Sequence, residues 1–358
     1  MKIAVLGGGN GCYAAAADLT EQGHEVRFWR RDAQALAPVL ETGAIVLKDR
    51  DGSRPVKLAS VTTDIGAAVR GAQLILIPTP ALAQADIARA IAPHLEDGQV
   101  VFLPPGTFGS VLMDQIARTA GATADVTYAE TGTLPYLTRK HGPAEVAITV
   151  RAVRLPTGCY PARNAAHAME VIGRAFPVIQ PCEDALSAAL LNGGPVIHPP
   201  LIIMNAAPLQ HFPAWDIHNE GTQPAVRAVT DALDAERIAV REALGYHSPH
   251  FPLADTYSSD RWMYGDTHSQ LTDSGDWREK IDLKTHRYML EDVVLGLAFL
   301  CSVARYAGVA APVAHGLLAL GGAIAGREVL PGERSLEAMG LDRLAVADLQ
   351  AGLRQGGL

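Results

Sequence analysis

The chain reads as an α/β protein in two parts, a mostly parallel, doubly wound sheet over residues 1–185 and an all-α half over residues 186–358. Three observations predict this. Short apolar runs alternate with helix-periodic segments through the first half. The first such run passes directly into a glycine-rich turn and an alanine-rich helix. From about Leu186 onward, long alanine- and leucine-rich stretches replace the strand signals.

Taken in order, Lys2–Leu6 is an apolar strand that turns through Gly7-Gly8-Gly9-Asn10-Gly11 into the helix starting near Cys12-Tyr13-Ala14, and a second strand follows at residues 26–29. Gly7 permits a tight turn and Gly9 lets the backbone approach a pyrophosphate, which the free N–H groups and positive dipole end of the helix then meet. Strand, glycine turn, helix and second strand at this spacing predict a Rossmann-type dinucleotide site, with Gly7, Gly9, Asn10 and Gly11 as cofactor ligands. Cys12 stands where that fingerprint expects a third glycine or alanine, so slightly looser helix–strand packing is expected there.

Further strands are expected at residues 74–77, 100–103 and 126–129, and helices at 81–94 and 110–119. Residues 45–47 and 56–61 read as a hairpin inserted into the main sheet, and 146–150 as another strand. Beyond Leu186, helices are expected over 224–244, 288–307 and 312–325. With no flexible linker between the halves, a tight junction with a substrate cleft is expected.

The residues ending the second strand bear on the choice of cofactor. Trp29-Arg30-Arg31-Asp32 offers two guanidinium groups where an acidic residue would otherwise meet a free ribose hydroxyl, and arginines hold a 2′-phosphate through charge-assisted contacts. NADP is therefore expected, with NAD as the alternative in which the arginines are solvated and Asp32 binds ribose or caps the next helix. Pro78 and Pro105 close two strands at their carboxyl ends and are expected to complete the cofactor groove.

Bulk composition narrows the classes. Of 358 residues, 48% are hydrophobic and 19% charged, which suits a globular chain and excludes a disordered one. A net charge of −8 repels nucleic acid and anionic membranes, so neither is an expected partner. No apolar run approaches the roughly 18 uninterrupted residues of a membrane span. Cys12, Cys159, Cys182 and Cys301 lack Cys-x-x-Cys spacing, which argues against a zinc ribbon or disulfide framework. With Met1 leading straight into a strand, a cytoplasmic location is expected.

Two segments in the second half suggest chemistry. In Asn192-Gly-Gly-Pro195-Val-Ile-His198-Pro199-Pro200, prolines are expected to interrupt a helix and present His198 at a kink. An imidazole there serves as a proton donor and acceptor near neutrality, or as a packed histidine bonded to a carbonyl. In Arg287-Tyr288-Met-Leu-Glu291-Asp292, α-helical spacing pairs Arg287 with Glu291 and turns Asp292 well away from Arg287. Asp292 then needs another partner, and His198 needs a carboxylate to orient it. The histidines at 211, 218, 247, 250, 268 and 286 show no metal-binding arrangement, so no metal is expected. Residues 250–277, with Tyr257, Trp262 and Tyr264, lack periodicity and read equally as a lid or as a structural wrap. Asp234, Glu236 and Arg237 are expected to form an internal ion-pair network.

With these residues in view, the chain resembles the NAD(P)-dependent opine dehydrogenases, the octopine/nopaline group, and within it the bacterial N-(1-D-carboxylethyl)-L-norvaline dehydrogenase branch. The resemblance runs over nearly the whole chain. It rests on Gly7–Gly11, on Glu130-Thr-Gly-Thr-Leu-Pro-Tyr136, on Asn192…His198-Pro, on Asp234-Ala-Glu236-Arg237, and on Arg287-Tyr288-x-x-Glu291-Asp292-Val with the glycine that follows. It implies reductive condensation of an amino acid or amine with a 2-oxo acid such as pyruvate, His198 as acid–base residue and Asp292 as its carboxylate partner. It further implies Arg287 as a ligand of a substrate carboxylate, with Asn192 and Glu130 as additional substrate contacts. Lys284, Arg139 or Lys140 is then left to meet a second carboxylate. Arg30 departs from the acidic residue of NAD-using relatives. The expected assembly is a homodimer, through the apolar helices of the second half. Competing readings are a dehydrogenase of the glycerol-3-phosphate or ketopantoate type and a non-catalytic NADP-binding sensor.

Overall fold

The computed structural model describes residues 1–257, 273, 275, 277–330 and 332–358. The chain divides into two compact units, Met1–Ala189 together with Gly352–Leu358, and Leu190–Ala351. The expected boundary at residue 185 thus moves a few residues, because α7 (Ala185–Ala189) packs on the first unit's sheet, where Gly158 lies against the Asp184 carbonyl. The carboxyl terminus also returns to the first unit instead of ending in the second. Leu358 N donates to the Tyr160 hydroxyl at 2.9 Å.

In the first unit, β1 (Lys2–Leu6), β2 (Glu25–Trp29), β6 (Leu74–Leu76), β7 (Val100–Leu103) and β8 (Thr127–Thr131) pair in parallel in the order β8-β7-β6-β1-β2. β5 (Ser60–Thr62) extends this sheet beyond β2, while β11 (Leu155–Tyr160), antiparallel to β8, and β12 (Ile179–Pro181) extend it on the other side. The doubly wound, mostly parallel sheet is as the sequence predicts. The near-continuous apolar runs follow from burial on both faces. Leu6, Ile75, Ile77, Val101 and Leu103 form one core with Ile87 and Ile91 of α4 (Gln84–Ile91) and Met113 of α5 (Gly109–Thr119).

The hairpin of β3 (Ala44–Asp49) and β4 (Gly52–Lys57) does not enter this sheet. It builds a second, four-stranded sheet with β9 (Tyr136–Gly142) and β10 (Glu145–Arg151), in which β3 pairs in parallel with β10. The charges on these strands cross-link the sheet to α1 (Asn10–Glu21): Arg151 Nε meets Asp18 at 2.8 Å, its Nη2 meets Asp49 at 2.7 Å, and Arg54 spans Asp49 and Glu21. Local periodicity carries no information about such pairings between distant segments.

Among its described residues the second unit is helical, apart from the two-residue pair Trp215–Asp216 with Arg278–Glu279. Its elements include α8 (Gly194–Met204), α9 (Ala206–His211), α10 (Pro224–Ala243) and the helices Ala298–Tyr306 and Pro312–Ala325. Tyr288–Leu297, which precedes the first of these, is wound as a π-helix. Asp234 and Arg237 form the expected buried pair at 2.6 Å, and Arg237 also donates to the carbonyls of Leu190 and His250. Glu236 instead caps the helix Pro312–Ala325, accepting from Val313 N and Ala314 N, both at 2.8 Å. The stretch Ala185–Met204 has the length and apolarity of a membrane span, yet most of it is buried within the protein, as core helices are. The expected lid or wrap over 250–277 lies largely outside the described residues.

Candidate active site

In the first unit the glycine turn has the geometry its sequence implies. Gly7 takes a φ of 129°, a left-handed value that a residue with a side chain rarely adopts. Gly9 forms the N-cap of α1 with open space where a Cβ would sit, so a ligand can approach the first N–H groups. The close packing that the fingerprint assigns to its third small residue falls on Gly11, where a Cβ would strike Leu134 and Pro78. Cys12 beside it is fully buried. Its thiol lies 3.5 Å from the Pro78 carbonyl and is pushed up to about 12 by burial, which keeps it protonated and unreactive. The side chain of Asn10 accepts from Lys140 N at 3.1 Å and so fixes β9 beside the turn. Turn, open N-cap and helix together fit a dinucleotide pyrophosphate.

Asp32 caps α2 (Ala33–Thr42), accepting from Ala35 N at 3.0 Å, which is the capping alternative read from the sequence. Arg30 lies over Gly8 and donates to the Tyr13 hydroxyl at 3.2 Å and the Ala35 carbonyl at 3.3 Å. Arg31 is 81% exposed and sits 3.6 Å from Asp86, a surface pair that contributes little.

Pro78 and Pro105 both lie just beyond carboxyl strand ends, after β6 and β7 respectively. After Pro105-Gly106, the turn passes through Thr107 and Phe108 with φ of 54° and 60°. Two consecutive left-handed residues cost on the order of 1–3 kcal/mol each, so surrounding contacts must hold them. Glu130 provides those contacts. Its side chain is completely buried and accepts from Phe108 N at 2.7 Å, Ser110 N at 3.2 Å and the Ser110 hydroxyl. The substrate role that the resemblance implies for Glu130 therefore meets a carboxylate already bonded to the start of α5. Gly106 packs so close to this carboxylate that a Cβ would collide with it.

In the second unit, His198 and Asp292 meet. The imidazole Nδ1 lies 2.7 Å from Asp292 Oδ2, and the two side chains are 14% and 7% exposed. A carboxylate accepts only, so the neighbour assigns the N–H to Nδ1. The prolines do not interrupt the helix at His198. Although Pro199 and Pro200 remove two backbone donors, α8 runs on through both to Met204, with Val196, Leu201 and Ile202 buried. Asn192 sits at the head of this helix, its Oδ1 accepting from Gly194 N at 3.0 Å in a local turn.

The π-winding changes the spacing argument for the second motif. With i→i+5 hydrogen bonds each residue turns through a smaller angle than in an α-helix, so Arg287 and Asp292, five apart, come onto neighbouring faces. Asp292 is consequently not turned away from Arg287. Burial pushes the Asp292 carboxyl up to about 7, and the Arg287 guanidinium pulls it back. Arg287 also keeps its i,i+4 neighbour Glu291 at 3.7 Å, with the arginine half exposed and the glutamate buried. Two glycines let the helices approach. A Cβ on Gly194 would overlap Asp292 Oδ1, and one on Gly296 would overlap Pro195.

Two further rings, Tyr288 and His218, to which the sequence assigns no chemical role, join the pair. Tyr288 stacks on His198 with ring centroids 3.8 Å apart and planes 19° from parallel, and Arg287 lies 4.9 Å from its centroid. His218 meets His198 edge-on at 5.8 Å, with Trp277 a further 5.3 Å from His218. The available signal was the spacing of Tyr288 and Asp292, which places both on the face that meets His198. Among the described residues, no three His, Cys, Asp or Glu side chains converge as a metal site would require.

Comparison with known proteins resolves the competing enzyme classes. Residues 2–117 match the family of the NAD-dependent glycerol-3-phosphate dehydrogenase N-terminus, which covers only the nucleotide-binding part. Residues 181–325, which carry the His198–Asp292 pair, match the NAD/NADP octopine/nopaline dehydrogenase, alpha-helical domain. The opine dehydrogenase of Arthrobacter sp. (strain 1C) is 32% identical over 97% of both chains. Among solved structures, octopine dehydrogenase with NADH and L-arginine shares the fold at a TM-score of 0.74 and 20% identity over the whole of both chains. Yersinopine dehydrogenase with NADP+ bound does so at 0.67 and 16%, covering 99% of this chain and 98% of the other. The helical half and the full-length match agree, and this chain belongs to the opine dehydrogenases, NAD(P)-dependent oxidoreductases of the CH–NH bond.

Proposed function

We propose that this enzyme joins an amino acid to a 2-oxo acid such as pyruvate by reductive condensation, with His198 as acid–base residue, Asp292 as its orienting partner and NADPH as the preferred reductant. The 2.7 Å contact between His198 Nδ1 and Asp292 Oδ2 carries this reading. Octopine dehydrogenase, with which the fold is shared, has been solved with L-arginine and with pyruvate, one amino acid and one 2-oxo acid.

The amine and the 2-oxo acid lose water to form an imine, whose carbon must gain a hydride and whose nitrogen must gain a proton. The nicotinamide, when bound, supplies the hydride. His198 supplies the proton from Nε2 while Nδ1–H stays on Asp292, which stabilises the imidazolium before transfer and fixes the ring after it. In the reverse direction Nε2 takes the proton of the secondary amine. Arg287, half exposed and always charged, binds a substrate carboxylate. Asn192 supports the site by holding the start of α8. Gly7, Gly9, Asn10 and Gly11 form the pyrophosphate cradle, with Pro78 and Pro105 along the groove. Arg30 meets the 2′-phosphate, and Arg31 contributes weakly from the surface. A homodimer in the cytoplasm is the setting we propose.

The direct test follows NADPH and NADH oxidation with pyruvate and a panel of amino acids and simple amines. Turnover that requires both carbonyl and amine supports reductive N-alkylation, and the NADPH/NADH ratio reads the contribution of Arg30. Turnover with the carbonyl alone overturns the proposal in favour of a keto-acid reductase.

A further inference from the structure

Lys140 stands in an unusual electrostatic setting. It projects from β9 and places Nζ 3.7 Å from the centroid of the Tyr13 ring, near the start of α1. The hydroxyl of the same tyrosine accepts from Arg30 Nη1 at 3.2 Å. Among the described residues neither Lys140 nor Arg30 has an ion-pair partner, whereas Arg27, Arg31, Arg54 and Arg151 in the same unit each have one. Burial, and then repulsion from Arg30, pushes the Lys140 ammonium below its ordinary range. The arrangement is also built rather than incidental. The bond from Lys140 N to the Asn10 side chain fixes the register of β9 on α1, and Tyr13 packs edge-on against Phe28 of β2 with centroids 5.0 Å apart.

Two cations held on one tyrosine, without a carboxylate, beside an open helix N-cap, repel each other until an anion joins them. We propose that Lys140 is the second jaw of a phosphate clamp, closing with Arg30 on a phosphate of the dinucleotide and favouring the cofactor that carries a 2′-phosphate. This rests on the cofactor reading above. It adds a specificity residue from the second sheet, about a hundred positions from the strand end where specificity is normally sought.

The test is direct binding to the purified enzyme, measured by titration with NADPH, NADH, 2′-AMP and ADP for wild type, Lys140→Gln and Lys140→Arg. Circular dichroism establishes that each variant is folded. Lys140→Gln is expected to weaken NADPH and 2′-AMP roughly tenfold, the loss of one charge-assisted contact, with NADH and ADP within twofold and Lys140→Arg near wild type. Weakening of NADPH, NADH and ADP with 2′-AMP unchanged places the contact on the pyrophosphate and overturns the 2′-phosphate selectivity. Wild type binding NADH as tightly as NADPH, with Lys140→Gln weakening both, ends the NADPH preference and leaves the clamp. Unchanged affinities in Lys140→Gln, with NADPH still preferred by wild type, overturn the clamp and leave the preference.

Discussion

Tyr288 lies flat on His198, 3.8 Å between ring centroids, while Asp292, four residues further along the same π-wound segment, takes the imidazole Nδ1 at 2.7 Å. One short segment thus fixes the imidazole by its face and by its edge. π-Wound turns are uncommon and occur often at functional sites. Here the wider winding places ring, carboxylate and Arg287 together.

His198→Ala is expected to lower kcat by about two to four orders of magnitude, the usual contribution of a general acid–base group. Cofactor affinity should hold within twofold, because the glycine cradle lies in the other unit. Near-normal turnover in this variant would end the assignment.

The pH dependence should have opposite sign in the two directions. Imine reduction needs a proton on Nε2 and falls as pH rises, whereas oxidation of the secondary amine needs Nε2 free and falls as pH drops. Both limbs belong to the pair, not to one residue. For stability, the Asp292 carboxyl is raised from 3.8 to about 7 on folding, so its contribution is fully present below the lower value and is lost as pH rises through the upper. Asp292→Asn should flatten that stability slope and slow turnover in both directions, as read by pH-dependent melts and rates.

Tyr288→Phe keeps the ring and Tyr288→Leu removes it. If stacking orients the imidazole, the phenylalanine variant keeps most of its turnover. The leucine variant loses roughly tenfold in kcat, and its pH limbs move because a π-face that favours imidazolium is gone. Equal behaviour of the two variants would assign the effect to the hydroxyl instead.

Gly194→Ala introduces a Cβ onto Asp292 Oδ1, and Gly296→Ala one onto Pro195. Each overpacks a close helix contact and should cost about 1–3 kcal/mol in chemical denaturation. Only the first should also reduce kcat at temperatures where both are folded, since it displaces the carboxylate from His198.

Glu130→Gln leaves the donors at Phe108 and Ser110 without a charged acceptor and should destabilise by about 1–3 kcal/mol. A higher KM for the amino acid with unchanged stability would restore the substrate role implied by resemblance.

The parallel strands of the first unit were legible because strands buried on both faces read as short apolar runs, and because the Gly7–Gly11 turn has the form of a pyrophosphate cradle. The second sheet was not, since β3 finds its partner in β10, about a hundred residues along the chain. The His198–Asp292 pair lies 94 positions apart and was named from resemblance, since spacing alone could not join them. The relation between Arg287 and Asp292 differs from the α-helical expectation because the chain adopts a π-period there, and no residue type in Arg287-Tyr288-Met-Leu-Glu291-Asp292 announces the change. Glu130 and Asn192 show the converse. Each stands at a motif position, and each side chain bonds to the backbone that shapes a neighbouring turn.

The return of Gly352–Leu358 to the first unit makes the helical unit an inserted module whose two ends are both anchored in the nucleotide-binding unit. A nucleotide-binding fragment cut at residue 189 would therefore lack part of its own surface, including the donor that Leu358 N provides to Tyr160. A faithful minimal fragment would join residue 189 to residue 352 through a linker, and a reporter fused after Leu358 would report on the nucleotide-binding unit.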